Sequence, residues 1–305
     1  MLNQLQRPVV HPYAFRLTSI TRLPGKNGKG VSNTATIFHE ECSLEVTWQS
    51  THVDVRLKRG CYVAIRGLGA THHQGGAYPI QRLDLLDKPL ATLNPFETIS
   101  MNWVRDRSWI TRASALWAQL SRPFQHLLSA VWWDGGRFER FVCGPAALFS
   151  YRPVPNANLR HAVETAEHAI SLAHGLPEVS HSVLIAAALL HDAGKADDFR
   201  LAPEQGGYTY SQRGNLVGHR YTVLEWLAVA RGKVGVVIPD AQYLALIHAL
   251  IAGQGMTGPG VREVQTIEAS LLAVAGRIWT NEDCGLQGYV SGDANLYYAS
   301  KSNCR

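Results

Sequence analysis

Apolar positions change period along this chain. Between residues 13 and 89 they fall in short runs with partial period-two alternation: FRLTSITRL, VSNTATIFH, SLEVTWQS, VDVRL, CYVAIRGLGA and AYPIQRLDLL. These runs are rich in Val, Ile, Thr and aromatics, as half-buried strands are. Turn-forming GKNGKG, EEC, KRG and HHQGG separate them. Five or six strands in so short a stretch predict a small closed barrel, an arrangement without free edges.

Residues 90 to 157 lose the alternation. Trp103, Trp109, Trp117, Trp132 and Trp133 recur at irregular helical spacing, which predicts a connector of short helices with the tryptophans as buried anchors. The Pro-rich RPVPNAN closes this segment, and Asn158 is the expected cap of the next helix. From 158 to about 282 the period becomes helical, with apolar residues at i, i+3, i+4 and i+7. The chain therefore divides into an extension (1–12), a barrel (13–89), a connector (90–157), an all-helical domain (158–290) and a polar tail (291–305). The class is multi-domain α+β, and no internal repeat is evident.

Charge bears on the barrel. It holds ten Lys and Arg against six Asp and Glu, most of the whole chain's net charge of +5. A small basic barrel with exposed-strand aromatics looks like an oligonucleotide-binding (OB) fold, in which aromatics stack bases and cations track phosphates. Lys26, Lys29, Trp48, Lys58, Arg59, Tyr62 and Arg66 are the candidate nucleic-acid contacts, with Trp48 and Tyr62 equally open to a core role. Single-stranded RNA or DNA is thus the expected partner. No apolar run of 18 residues predicts a membrane span, and the first residues do not read as a secretory signal. Five scattered cysteines, odd in number and never spaced CxxC, fit a reducing cytoplasm.

Candidate chemistry sits in AALLHDAGKADDF, residues 187–199. An apolar helix that ends in adjacent His191 and Asp192 has no packing need for either. On a continuing helix the two diverge by roughly 100°, but Gly194 lets the helix stop. His161, His219 and His248 lie on neighbouring predicted helices. Imidazole with carboxylate is a borderline ligand set suited to Mn, Fe, Zn or Mg. Lys195 stands where it would neutralise a phosphate oxygen.

LLHDAGK resembles the signature of the HD phosphohydrolase superfamily, all-helical metal-dependent phosphatases and phosphodiesterases. The order of parts is similar to the YhaM-type 3′-to-5′ exoribonucleases: a barrel, a connector with GPAA, then the HD helices, then YTYSQRGNLVGH. That family joins an N-terminal OB domain to a C-terminal HD domain. The resemblance implies His191 and Asp192 as ligands of one divalent ion, His219 of NLVGH as a third ligand, and Asp192 and Lys195 as the catalytic pair. It leaves the first ligand between His161, favoured by its spacing of 30 residues to His191, and His168 of a Glu-His pair. These two stand about 10.5 Å apart along a helix and cannot share an ion. His248 is a further candidate ligand.

Two departures trim the site. Where the family carries Ser-His-His-Gly, this chain has Ala252-Gly253-Gln254-Gly255, and the distal aspartate is missing from EASLLAVAGRIWT. One metal rather than two is expected, softer than Mg²⁺. The activity implied is a metal-dependent 3′-to-5′ exonuclease or phosphodiesterase on single-stranded nucleic acid, RNA ahead of DNA. The alternatives are a degenerate HD accessory protein that binds nucleic acid, as in a mobile or conjugative element, and a nucleotide phosphohydrolase. The resemblance also makes a homo-oligomer a candidate assembly.

Overall fold

The computed structural model describes residues 14–25, 29–68, 76–148, 156–205, 207–253 and 262–283. Five strands close the barrel: β1 (Phe15–Pro24), β2 (Val31–His39), β3 (Cys42–Ser50), β4 (Tyr62–Leu68) and β5 (Tyr78–Leu85). Their order is β1-β2-β3-β5-β4, with β4 returning to β1, as in an OB-like barrel. All neighbours are antiparallel except β3 and β5, which run parallel. Alternation explains the closure. Leu17, Ala35, Ile37, Val46, Val63 and Leu83 point inward to one core, and the residues between them face out.

One predicted strand does not form. VDVRL is a turn in which Asp54 accepts from the Arg56 backbone and guanidinium, and Val55 is 70% exposed. Its alternation was real, but a carboxylate two residues before an arginine closes a local loop more readily than it extends.

The connector begins with a 3-10 turn, Pro95–Thr98, capped by Asn94, whose side chain accepts from Phe96 N–H. Three helices follow: α1 (Ser108–Ala118), α2 (Arg122–Val131) and α3 (Gly135–Cys143). Trp103, Trp117 and Trp132 are buried with Phe96, Phe138 and Phe141 in the largest core. Trp133 lies at the barrel seam, stacked on Tyr62. The tryptophans do anchor this segment.

The seam is held by a buried cation. Arg16 of β1 donates to the Gly60 carbonyl at 2.8 Å, to Thr98 Oγ1 at 2.9 Å, and to the Tyr62 hydroxyl. Its guanidinium also lies over the rings of Tyr62 and Phe138. Barrel and connector thus share one side chain.

The C-terminal part comprises α4 (Ala157–Leu172), α5 (His181–Leu190), α6 (Lys195–Asp198), a hairpin of β6 (Phe199–Ala202) and β7 (Gly207–Tyr210), then α7 (Gln212–Leu216), α8 (His219–Val234), α9 (Asp240–Ala252) and α10 (Ile267–Asp283). Every residue of α5 from Val183 to Leu190 is buried, as expected of a helix apolar on all sides. It is the central helix. Asn158 does not cap α4; Asn156, in a left-handed conformation with φ 61°, takes that place. Asn158 lies within the first turn, buried, its amide 3.5 Å from the Asp192 carbonyl.

Candidate metal centre

Four segments meet at the end of α5. The helix stops at His191, and a tight turn through Gly194 sends the chain into α6. Gly194 is required by a close approach: a β-carbon there would stand 2.1 Å from the His219 carbonyl oxygen. The backbone of α8 thereby rests against the His-Asp turn. This resolves the divergence expected of adjacent residues.

His161 on α4 reaches His191, with Nε2 atoms 2.9 Å apart. His161 Nε2 lies 3.2 Å and His191 Nε2 3.5 Å from Asp192 Oδ2. His219, the first residue of α8, places Nε2 3.3 Å from the other oxygen of Asp192. Donor atoms that share an ion through bonds of about 2.0–2.2 Å fall roughly 3 Å from each other. The pair of histidines and Asp192 Oδ2 meet that test, and His219 stands across the carboxylate from them.

Orientation favours a cation too. His191 Nδ1 lies 2.7 Å from the Ala188 carbonyl. A carbonyl only accepts, so Nδ1 carries the proton and Nε2 offers its lone pair inward. His219 is held in the same way by Asp198 Oδ2, 3.3 Å from Nδ1. Asp198 was not singled out from the sequence. A buried carboxylate three residues past the signature gives no local hint that it points back.

Electrostatics follow from burial. Desolvation pushes His191 down to about 4, keeping it neutral. Burial alone would raise the Asp192 carboxyl, but Lys195 and the histidines hold it well below the ordinary range. Burial likewise disfavours charged His219, yet its bonds to Asp192 and Asp198 outweigh that and raise it. Lys195 donates to Asp192 Oδ2 at 2.5 Å and to the Ala146 carbonyl at 2.7 Å. Its ammonium is therefore beside the cluster.

The other candidate ligands lie elsewhere. His168 is not part of the cluster, and its neighbour Glu167 pairs with Arg112 of α1. His248 accepts the Gln265 N–H at 3.0 Å through Nε2. Glu268 accepts from Ser180 N–H ahead of α5, so it is no substitute for the missing aspartate. Gln254 and Gly255 fall outside the described residues. A second group, His39, Glu40 and Glu97, sits at the β2–β3 turn, but Glu97 already accepts from Asn94 and Glu40 is exposed.

The expected barrel contacts divide. Lys26 lies outside the described residues. Lys29 and Lys58 are exposed. Arg59 pairs with Glu139 of α3, and Arg66 shares Asp84 with Arg82. Trp48 and Tyr62 require correction as stacking residues. Trp48 is 7% exposed within the barrel core, and Tyr62 is 1% exposed between Trp133 and Arg16. Neither presents a ring face to a base.

Among the described residues no helix is long and apolar enough to cross a membrane. No curated protein and no solved structure matches the chain. Residues 158–275 match the family model described as HD domain. HD domains are in general metal-dependent hydrolases, and the donor cluster falls inside the matched segment. The chain thus carries a C-terminal HD domain behind an N-terminal five-stranded, OB-like barrel.

Proposed function

We propose that this protein is a metal-dependent phosphodiesterase that removes nucleotides 3′-to-5′ from single-stranded nucleic acid, RNA ahead of DNA, in the cytoplasm. The observation that carries the reading is the convergence of His161, His191 and Asp192 beside Lys195, in a chain that also holds an OB-like barrel. His161, His191, Asp192 and His219 would hold the ion. Three imidazoles against one carboxylate favour Mn, Fe or Zn over Mg. Such an ion supplies Lewis-acid activation of water and of the phosphoryl group.

The chain's own groups do the rest. Asp198 and the Ala188 carbonyl fix two imidazoles so that neither ring need turn on binding. Lys195 gives its ammonium to the phosphate and offsets the charge that develops there. Exposed Lys29, Lys58 and Arg66 on the barrel attract the strand through its phosphates.

A second reading has its own observation. Lys195 already occupies Asp192 Oδ2, and the cluster contains a single aspartate; a strand-binding accessory protein would tolerate that. The assay is shortening of a 5′-labelled RNA oligomer in Mn²⁺ by the native protein and by His191→Ala. Stepwise products that vanish in the variant support the exonuclease. Strand binding without turnover in any divalent ion supports the accessory role, and cleavage of free nucleotides alone supports a nucleotide phosphohydrolase.

A further inference from the structure

A cavity of about 640 Å³ opens beside the metal centre. Its walls come from four places: α3 with Glu139 and Arg140, the β6–β7 hairpin with Phe199, Arg200 and Tyr208, α6 with Lys195, and the start of α7 with Gln212 and Arg213. The volume lies within the roughly 300–1,000 Å³ that small-molecule sites span. We infer that this cavity holds one nucleotide unit, its base against Tyr208 and its phosphate between Arg200 and Lys195. The inference deepens the proposed activity and rests on it, because it places the strand's terminal nucleotide.

Three observations converge on that occupant. Lys195 belongs to both places, lining the cavity while its Nζ touches Asp192. A phosphate met by Lys195 would stand next to Asp192, one side chain from the metal centre, and the nucleoside attached to it would extend into the cavity. The walls combine flat apolar surface (Pro145, Phe199, Leu201, Tyr208) with cations, the chemistry of a base joined to a phosphate. Finally, the cavity's acids are already neutralised. Glu139 pairs with Arg59 and Asp197 with Arg140.

Arg200 differs from the other cations. Arg140 is committed to Asp197 and the Ala196 carbonyl, and Arg213 to Glu225 and Thr222. Arg200 is exposed on the hairpin with no carboxylate in contact among the described residues. Its charge is available. The Arg59–Glu139 pair also brings the barrel to the cavity wall, so one continuous strand can touch the barrel and end in the cavity.

The test is titration calorimetry of AMP and of ribose 5-phosphate into the full chain, without added divalent ion. AMP should bind one site at least 5-fold more tightly than ribose 5-phosphate. Tyr208→Ala should weaken AMP roughly 5- to 100-fold, the range of one base–aromatic stack, down to the ribose 5-phosphate level. Tyr208→Phe should keep AMP affinity, and Arg200→Glu should weaken both ligands together. Equal binding of the two ligands, or AMP binding untouched by Tyr208→Ala, overturns the assignment. Photo-crosslinking of 8-azido-AMP to the unaltered protein gives a reading that no variant's folding can confuse. Labelled peptides must fall within 139–145 or 195–213, and labelling elsewhere also overturns it. Oligomer shortening separates the two levels. Shortening with AMP indifferent to Tyr208 removes the cavity assignment alone, whereas AMP held as expected with oligomers untouched removes the exonuclease alone.

Discussion

The Nε2 atoms of His161 and His191 face each other at 2.9 Å across thirty residues of sequence. His191 keeps its proton on Nδ1, so its inner nitrogen can only accept. Either a proton on His161 or a cation shared by both must fill the space between them, and Asp192 at 3.2 Å from His161 favours positive charge there.

Metal content should follow this geometry. The purified protein should retain about one equivalent of a divalent transition metal by elemental analysis after desalting. His161→Ala and His191→Ala should each lose it, while His168→Ala should keep it. Retention in the first two, or loss in the third, would remove the centre described above.

Asp198 should matter without touching the ion. Asp198→Asn leaves every donor in place but weakens the grip on His219 Nδ1. Changes of this kind typically cost 10- to 100-fold in metal affinity. Competition against a chelator measures it, and an unchanged affinity would mean that His219 is not a ligand.

Arg16→Met tests the seam. The substitution keeps apolar bulk but leaves the Gly60 carbonyl and the Tyr62 hydroxyl without their donor. Buried polar groups left unpaired cost about 1–3 kcal/mol each, so the urea midpoint should fall by the equivalent of about 2–6 kcal/mol for the two, with little change in slope. A rise would show that burying the cation costs more than its bonds return.

Alkaline stability should report Tyr62. Burial raises its phenol above the ordinary value of 10.0 despite nearby Arg16. The unfolded chain then releases this proton first as pH climbs past about 10. Stability is complete below that point and falls as pH rises toward the folded value. The loss in Tm between pH 9 and 11 should be smaller in Tyr62→Phe. An equal loss would place the alkaline transition at another group.

Much of this was legible in the sequence because the deciding forces are local. Period-two alternation placed the five strands, and the unbroken apolar run before His191 marked the central helix. The signature pair announced a donor site. What escaped depends on contacts between distant segments. An aromatic on a strand reads the same whether it stacks a base or fills a core, so the sequence leaves Trp48 and Tyr62 open between the two, and their burial decides for the core. The choice between His161 and His168 needed the packing of α4 on α5. Asp198 needed the fold of α8 against the Gly194 turn, and Arg16 looked like any other barrel cation although it is fully buried.

The contact between Lys195 Nζ and Asp192 Oδ2 has a consequence for how the protein matures. The cluster's aspartate meets its opposite charge from three residues away, within one turn of chain. Assembly of these helices need not wait for a cofactor, and chelators should empty the centre without melting it. Occupancy would then be a reversible late event, set by the supply of ions in the surroundings.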